Sequence, residues 1–293
     1  MRCHRCGRES VYFQRYSGLR LCREHLTASL EARAKGLIRA KRWIQRGDQI
    51  AVGLSGGLCS SSLLCFLMAH FGMRPDLSLV AITVDEGARS GMDVAYIREI
   101  AEGMGVEWAG TRIIGEDGDM SGPIGAAPRP LFTKLRDHAL ASLAMEVGAT
   151  RLALGSSLDD EAKAMFLSVV RGEVGRLSSG VEKGGRGISL IRPFSRIPEE
   201  ELFLYAKEKE IDFTRREPWT SQDPVERETS RMLLEFTVRH PSALFSLVGI
   251  GDALAWRENC GDEGLLPSDR RNPRPGVALS PAPGSGGRGG RIG

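Results

Sequence analysis

The stretch from residue 48 to residue 66 constrains the fold of this chain more than any other. A short apolar run at 49–54 has the length of a buried strand, two adjacent glycines follow, and apolar residues then recur with helical spacing. A strand, a Ser/Gly turn and a helix N-terminus together form an anion site, because backbone N–H groups and the helix dipole point into the turn. The stretch predicts an α/β domain with a phosphate-binding loop; the alternative is an ordinary strand-to-helix turn.

The polar residues of this turn favour the phosphate-binding interpretation. Gly56 and Gly57 let the backbone approach phosphate oxygens closely, and Ser55 and Ser60 supply hydroxyl donors on either side. Cys59 lies at the predicted helix N-terminus, where we expect the pKa of its thiol to be lowered.

The first 25 residues contain a second motif, a C-x2-C pair, fifteen further residues and a C-x2-H pair. Two close pairs of soft ligands on facing turns suit the tetrahedral geometry of zinc, and the intervening segment is too short to bury a core of its own. We predict a structural zinc site with all four positions filled by protein; a chance cluster is the alternative. The predicted ligands are Cys3, Cys6, Cys22 and His25.

Composition and charge narrow the class of protein. Of the 293 residues, 41% are hydrophobic and 26% are charged, as in a globular chain with a sizeable core. No apolar run reaches the length of a membrane span, and the basic N-terminus has no apolar signal core, so we expect a cytoplasmic protein without a membrane partner. Six cysteines in that compartment do not predict disulfides.

The basic residues are concentrated near the N-terminus. Residues 1–48 hold 12 Lys and Arg against 4 Asp and Glu, whereas the remaining residues hold 28 against 33. A predicted helix at 27–46, capped by Thr27, carries many of these cations. The distribution indicates either a surface for an anionic partner such as RNA or a solvated basic face.

The order of apolar segments beyond residue 48 predicts the architecture of the main domain. Strands are expected at 77–84, 105–109, 150–154 and 189–194, and helical patterns follow most of them. Alternating strands and helices indicate an open parallel sheet with helices on both faces. Ligands bind such sheets at the carboxyl ends of the strands, where Asp85 and Gly155 are expected.

Two adjacent acidic residues, Asp159 and Asp160, open the predicted helix that follows Gly155. Acidic residues at a helix start satisfy unpaired backbone N–H groups and suit the helix dipole. They would equally serve a Mg²⁺ or catalytic contact at the ligand edge of the sheet. The sequence leaves both interpretations open.

The order of motifs resembles a known family. The Ser55–Ser60 stretch is similar to the Ser-Gly-Gly-x-Asp-Ser loop of the N-type ATP pyrophosphatases, in the PP-loop superfamily, which cleave ATP between its α- and β-phosphates. With the N-terminal ribbon and four further motifs, the chain resembles the tRNA 2-thiouridine synthetases over about residues 1–250. Those further motifs begin at Asp85, Leu158, Arg171 and Arg192.

The resemblance implies a fold and a reaction. The fold would be that of the adenine nucleotide alpha hydrolases. ATP would adenylate a tRNA uridine, and a ubiquitin-like carrier would then deliver sulfur. By matching motif, ATP phosphates would be held by Ser55, Gly56, Gly57 and Ser60. Asp85 and Gly155 would lie near the nucleotide, and Asp159 and Asp160 would complete the catalytic site, with Cys59 as the candidate thiol.

The chain also departs from that family. Cys59 replaces the aspartate of the family loop, no cysteine occurs at 126–130 or 217–219, and only Cys260 remains of a second ribbon. We therefore expect a degenerate member that binds ATP, Mg²⁺ and structural zinc but no iron–sulfur cluster. Three functions stay open: thiolation with altered sulfur handling, a non-catalytic pseudoenzyme beside a catalytic paralogue or a second copy, and a nucleotide-binding module with another substrate.

The predicted division of the chain has four parts. A zinc ribbon at 1–26 is followed by a basic linker helix at 27–47 and the ATP pyrophosphatase domain at 48–256. Gly, Pro, Ser and Arg dominate the remainder, 257–293, which the composition predicts to be a disordered tail.

Overall fold

The computed structural model describes residues 1–87, 92–113, 129–173, 188–214 and 223–260, with backbone only at 129–133 and 255–260. The side chains of 126–130, all of 217–219 and most of the tail therefore lie outside the described residues.

The N-terminus forms a small hairpin. Its antiparallel strands are β1 (Tyr12–Gln14) and β2 (Leu19–Leu21). Successive side chains of the hairpin strands point to opposite faces. Gln14 and Leu21 lie on the inward face and are buried, whereas the other face points outward. A minor apolar cluster of Cys3, Leu21, Cys22 and Leu26 is its core, too small to hold the segment folded alone.

The main domain is built on a parallel sheet, five-stranded in the part that the structure describes. In chain order the strands are β3 (Gln49–Gly53), β4 (Ser78–Asp85), β5 (Glu107–Arg112), β6 (Arg151–Leu154) and β7 (Ser189–Ile191). Their order across the sheet is β5-β4-β3-β6-β7, so the connections leave β3 in both directions. The crevice beside β3 and β6, where the order reverses, is where such sheets bind ligands.

Helices cover both faces of the sheet. They are α1 (Arg23–Lys41), α2 (Leu58–Phe71), α3 (Val94–Gly103), α4 (Arg129–Glu146), α5 (Leu158–Arg171), α6 (Glu199–Glu208), α7 (Pro224–Arg239) and α8 (Ala243–Cys260). Residues of α1, α2, α3 and α6 pack on one face, and α4 packs on the other. Ile50, Ala51 and Val52 are fully buried because successive side chains of β3 meet these two cores. The predicted fold class is confirmed.

The first helix differs from its predicted bounds. It begins at Arg23 rather than residue 27 and ends at Lys41, so Thr27 lies inside it. Cys22 is the N-cap residue, with an extended backbone, and His25 falls in the first turn. The helix ends because Arg42 adopts a left-handed conformation with φ of 52°. The start of α1 therefore lies within the second ligand pair, Cys22 and His25, and not at a Ser or Thr cap.

A buried polar network joins the hairpin to the main domain. Glu201 of α6 is fully buried and forms an ion pair with Arg33 of α1. Its Oε1 accepts hydrogen bonds from Tyr16 Oη at 2.6 Å and Gln14 Nε2 at 3.1 Å. Because each buried polar group here has a partner, the hairpin is held in a defined position against α1 and α6.

Candidate functional site

The Ser/Gly loop lies between β3 and α2, at the carboxyl edge of the sheet, and its serines brace it internally. Ser60 Oγ accepts from Ser55 N at 3.2 Å, donates to Gly57 O at 3.1 Å and lies 3.1 Å from Ser55 Oγ. Ser60 is buried, so its hydroxyl fixes the shape of the loop in addition to any contact with a ligand. Hydrogen bonds within the loop therefore hold its shape.

Gly56 is required by both conformation and space. Its φ is +73°, and a Cβ there would lie 2.8 Å from Ile97 Cγ1. Its carbonyl accepts from Thr214 N at 2.7 Å, which ties the segment after α6 to the loop. No local sequence pattern predicts these two contacts, since Ile97 and Thr214 reach the loop from distant parts of the chain. The N-cap of α2, Gly57, offers no side chain, so the helix N-terminus has no side-chain cap and can face an anion.

Gly155 brings the loop after β6 against the Ser/Gly loop. A Cβ at this position would lie 2.5 Å from the carbonyl oxygen of Cys59 and 2.6 Å from Ser60 N. Backbone atoms cannot yield as a flexible side chain would, so any larger residue must displace one of the loops. The structure thus brings Gly155, Cys59 and Ser60 together.

The paired carboxylates hold helix ends. Asp160 Oδ2 accepts from Ser157 N at 2.9 Å while Ser157 Oγ accepts from Asp160 N at 3.1 Å, a reciprocal capping box. Asp159 Oδ2 accepts from Glu199 N at 2.8 Å, at the start of α6. Each carboxylate therefore has a structural role, and the described residues place no third ligating side chain beside the pair that would complete a metal site.

The acidic surroundings determine the state of Cys59. Burial raises the pKa of this thiol well above its ordinary range, and the nearby carboxyl groups of Asp160, Glu199 and Asp159 raise it further. The expectation of a lowered pKa at the helix N-terminus is therefore wrong, because desolvation and acidic neighbours outweigh the helix dipole. Burial also raises the pKa of Asp159 and of Glu199.

Asp85 ends β4 at the same edge of the sheet. Its Oδ1 accepts from Gly87 N at 2.7 Å, and its Oδ2 accepts from Arg112 Nε at 2.8 Å on neighbouring β5. These contacts orient the carboxylate at the strand end, where the predicted nucleotide contact would be made. On the other side of β3, just after β7, Arg192 forms an ion pair with Glu161, with Nε 3.2 Å from Oε1. This ion pair joins the end of β7 to α5.

The four predicted metal ligands converge in the N-terminal hairpin. Their ligand atoms all lie within 4.8 Å of one another, the one such group of three or more found in the described part of the chain. Cys6 Sγ lies 3.7 Å from Cys22 Sγ, and Cys3 Sγ lies 3.8 Å from His25 Nδ1. Tetrahedral ligands about 2.0–2.3 Å from a zinc ion are separated by about 3.3–3.8 Å, so the arrangement fits such an ion.

The thiols of this group do not ionise alike. Burial opposes ionisation of Cys3, yet backbone N–H groups of Cys22, Arg5 and Cys6 lower its pKa to about 6. Burial raises the pKa of Cys22 to about 11. The three thiols thus lie in unequal environments, and the charge of a bound cation would favour ionisation of all of them.

Comparison with known proteins agrees with this geometry. Residues 26–232 match the family described as the PP-loop domain. The chain belongs to the PP-loop family. Residues 2–27 match the N-terminal LIM domain of the 2-thiouridine synthetase TtuA.

Similar proteins identify the branch. The tRNA 2-thiolation protein NcsA of Haloferax volcanii is 28% identical and covers 87% of both chains. Cytoplasmic tRNA 2-thiolation protein 1 of Bos taurus is 27% identical over 86% of this chain and 78% of its own. The U34-tRNA thiolase NcsA from Methanococcus maripaludis superposes with a TM-score of 0.78 at 25% identity, covering 87% of each chain. The resemblance to the tRNA 2-thiouridine synthetases is confirmed.

The same comparison corrects one expectation. The Methanococcus maripaludis structure is described with its [4Fe-4S] cluster, so the expectation that this chain lacks such a cluster is wrong. That expectation rested on two short segments without cysteine, whose side chains lie outside the described residues. Thiols from elsewhere in a chain can converge in three dimensions, as the hairpin cysteines do here.

Among the described residues, no helix combines the length and apolar character needed to cross a bilayer.

Proposed function

We propose that this chain binds ATP at the Ser/Gly loop and adenylates a tRNA base, before sulfur replaces the base oxygen. The observation that carries this proposal is the uncapped N-terminus of α2 beside a loop that is closed by its own hydrogen bonds at the sheet's carboxyl edge. The names of the relatives supply the substrate class, a tRNA that is thiolated.

The loop would act through its backbone. Phosphate oxygens would accept hydrogen bonds from N–H groups of the loop and of the first turn of α2, with Ser55 Oγ as a further donor. The base oxygen would attack the α-phosphorus and pyrophosphate would leave. A sulfur nucleophile would then add to the activated carbon, and AMP would leave with the former base oxygen. Because Cys59 is neutral at rest, we place the attacking sulfur elsewhere, on a carrier or another donor.

The basic helix α1 would contact the tRNA. Arg33 and Lys41 are engaged by Glu201 and Asp252. Three other cations of α1 and its C-terminal extension form no ion pair with any described residue, so their charge is available to phosphates. They are Lys35, Arg39 and Arg42.

The wider assignment follows from this role. We propose a cytoplasmic protein whose ribbon and α1 engage tRNA while residues 48–256 carry the nucleotide chemistry. A ubiquitin-like sulfur carrier is the expected donor. The metal of the ribbon would be structural, because protein ligands fill all four positions.

The test is formation of AMP and pyrophosphate with and without tRNA. Wild-type protein should form both products only when tRNA is added, and Gly56→Asp should reduce product at least a hundredfold by filling and charging the phosphate site. Gly105→Asp is the matched control, because Gly105 has a similar φ of +71° but no atom within 4 Å of the added Cβ. Wild-type protein that binds neither ATP nor tRNA would contradict the proposal.

A second candidate function is a non-catalytic partner of an active thiolase. Cys59 in place of the family's aspartate, and carboxylates engaged as helix caps, favour it. In this case the isolated chain would bind ATP and tRNA without forming AMP, and adding a catalytic relative would restore thiolation. If ATP binds but tRNA does not, a nucleotide-binding module with another substrate becomes the better description.

A further inference from the structure

We propose that the outward face of the N-terminal hairpin is a stacking platform for an unpaired RNA base. The platform consists of Phe13 and Arg20, flanked by Val11 and His4. The proposal deepens the proposed function, on which it rests, by assigning one base contact to a surface outside the nucleotide site.

The platform is an aromatic ring turned toward solvent. Phe13 is 47% exposed, although its neighbours Tyr12 and Gln14 face the main domain and bond to Glu200 and Glu201 there. The alternation of the strand explains the orientation: burying Gln14 against α6 forces Phe13 outward. Nothing in the packing of the hairpin core requires a large aromatic side chain at this position.

A cation accompanies the ring. Phe13 and Arg20 are direct partners in the antiparallel register, and the guanidinium carbon of Arg20 lies 5.2 Å from the ring centroid. No carboxylate among the described residues pairs with the half-buried Arg20, and its buried Nε has no acceptor there. His4 Nδ1 accepts from Arg20 N at 3.5 Å, which places a second exposed aromatic ring beside this strand.

The charge of the hairpin selects the partner. Residues 1–22 contain five arginines and one glutamate. Exposed Arg5 forms no ion pair with a described residue, whereas Arg8 is paired with Glu24. A ring with an uncompensated guanidinium attracts a nucleobase flanked by phosphates, because the base stacks and the phosphates meet the cations. A protein-docking patch would need a wider apolar area than Phe13 and Val11 provide.

Stacking requires an unpaired base, which gives a specific test. The affinities of the full chain for a tRNA transcript, a single-stranded oligouridylate and an RNA duplex are measured by fluorescence anisotropy. Phe13→Ala should weaken binding of tRNA and oligouridylate about 5- to 100-fold and leave duplex binding unchanged. Phe13→Trp should bind these RNAs as tightly as the wild type does, because it keeps an aromatic ring. Arg20→Gln should lower the slope of log affinity against log salt by about one.

Phe236→Ala is the matched control. Phe236 is 49% exposed and also lies against a basic-type side chain, with its ring centroid 4.5 Å from that of His240. Its loss should change RNA affinity less than twofold. Metal content is measured in each variant. If Phe13→Ala loses its metal, the other two variants decide instead: Phe13→Trp should keep its RNA affinity, and Arg20→Gln should lower the salt slope.

The outcomes separate the two proposals. Wild-type protein that does not bind tRNA would overturn the proposed function. Equal tRNA affinities of the wild type and Phe13→Ala, with metal retained in both, would overturn the platform alone. Equal weakening of duplex and single-strand binding would also overturn it, since a duplex offers no free base face.

Discussion

The N-terminal ribbon and the Ser/Gly loop are two candidate ligand sites built on opposite principles. In the ribbon, four side chains converge within 4.8 Å and have little apolar core around them. In the loop, the groups that would face phosphate belong largely to the backbone, and hydrogen bonds among Ser55, Gly57 and Ser60 already fix their positions. The ribbon therefore depends on its ligand for stability, whereas the loop depends on the packed sheet around it.

The difference determines where each site is vulnerable. A site made of side chains is lost when its ligands are replaced, while the rest of the protein can remain folded. A backbone site tolerates changes of nearby polar side chains but not an added Cβ where two backbones touch. The network around Glu201 joins the ribbon to α1 and α6 of the main domain, away from the Ser/Gly loop.

The largest effect is expected from removing the metal ligands. Cys3→Ser with Cys22→Ser should abolish binding of one metal equivalent and unfold residues 1–22, because structural zinc supplies about 10–16 kcal/mol in small ribbons. Elemental mass spectrometry identifies the metal, and hydrogen exchange locates the unfolding. The control is Cys65→Ser, within α2 and outside the group. A doubly substituted protein that keeps its metal would contradict the assignment.

The second effect concerns the contact between the ribbon and the helices α1 and α6 of the main domain. Glu201→Ala leaves Arg33, Tyr16 and Gln14 without their shared acceptor. Breaking a buried ion pair costs about 3–5 kcal/mol, and we expect the lower end because the Arg33 side chain keeps 28% of its exposure. Denaturant unfolding measures the loss. Glu200→Ala, which removes only the longer 3.3 Å bond from Tyr12, should cost far less.

The third effect tests the backbone character of the loop. Gly155→Ala should cost about 1–3 kcal/mol of folding free energy and weaken ATP binding, because its Cβ would meet backbone atoms of Cys59 and Ser60. Gly103→Ala, at the end of α3, is the control, because Gly103 lies outside the loop and no atom lies within 4 Å of the added carbon. Thermal unfolding and ATP calorimetry on both variants would distinguish them. Equal behaviour would mean that the two loops are not in contact.

The smallest effect concerns the pH dependence contributed by Cys59. Its pKa is raised in the folded state, so its stabilising contribution is complete below the unfolded thiol pKa of about 8.5 and decreases as the pH rises further. Relative to Cys59→Ser, the wild type should lose about 1 kcal/mol of unfolding free energy between pH 8.5 and 9.5. Urea unfolding at both pH values measures the difference, and a constant gap would show that this thiol is not desolvated.

Sequence reasoning succeeded where the signal was local. The spacing of Cys3, Cys6, Cys22 and His25 identified a group that does converge, because short segments limit where their ends can lie. Alternating apolar segments identified the parallel sheet, because strand and helix periods are properties of consecutive residues. It failed at the start of α1, where extended Cys22 takes the N-cap position that Thr27 was expected to fill.

What the sequence determined by itself was the class of fold, the family, and the four Cys and His residues that converge in the hairpin. Only the tertiary structure decided the state of Cys59, whose acidic neighbours lie about a hundred residues further along the chain. It also decided that Asp159 and Asp160 hold helix ends, that Thr214 supports Gly56, and that Phe13 faces outward. The physical reason is that spacing acts through the covalent chain, whereas burial, charge and exposure depend on which distant segments pack together.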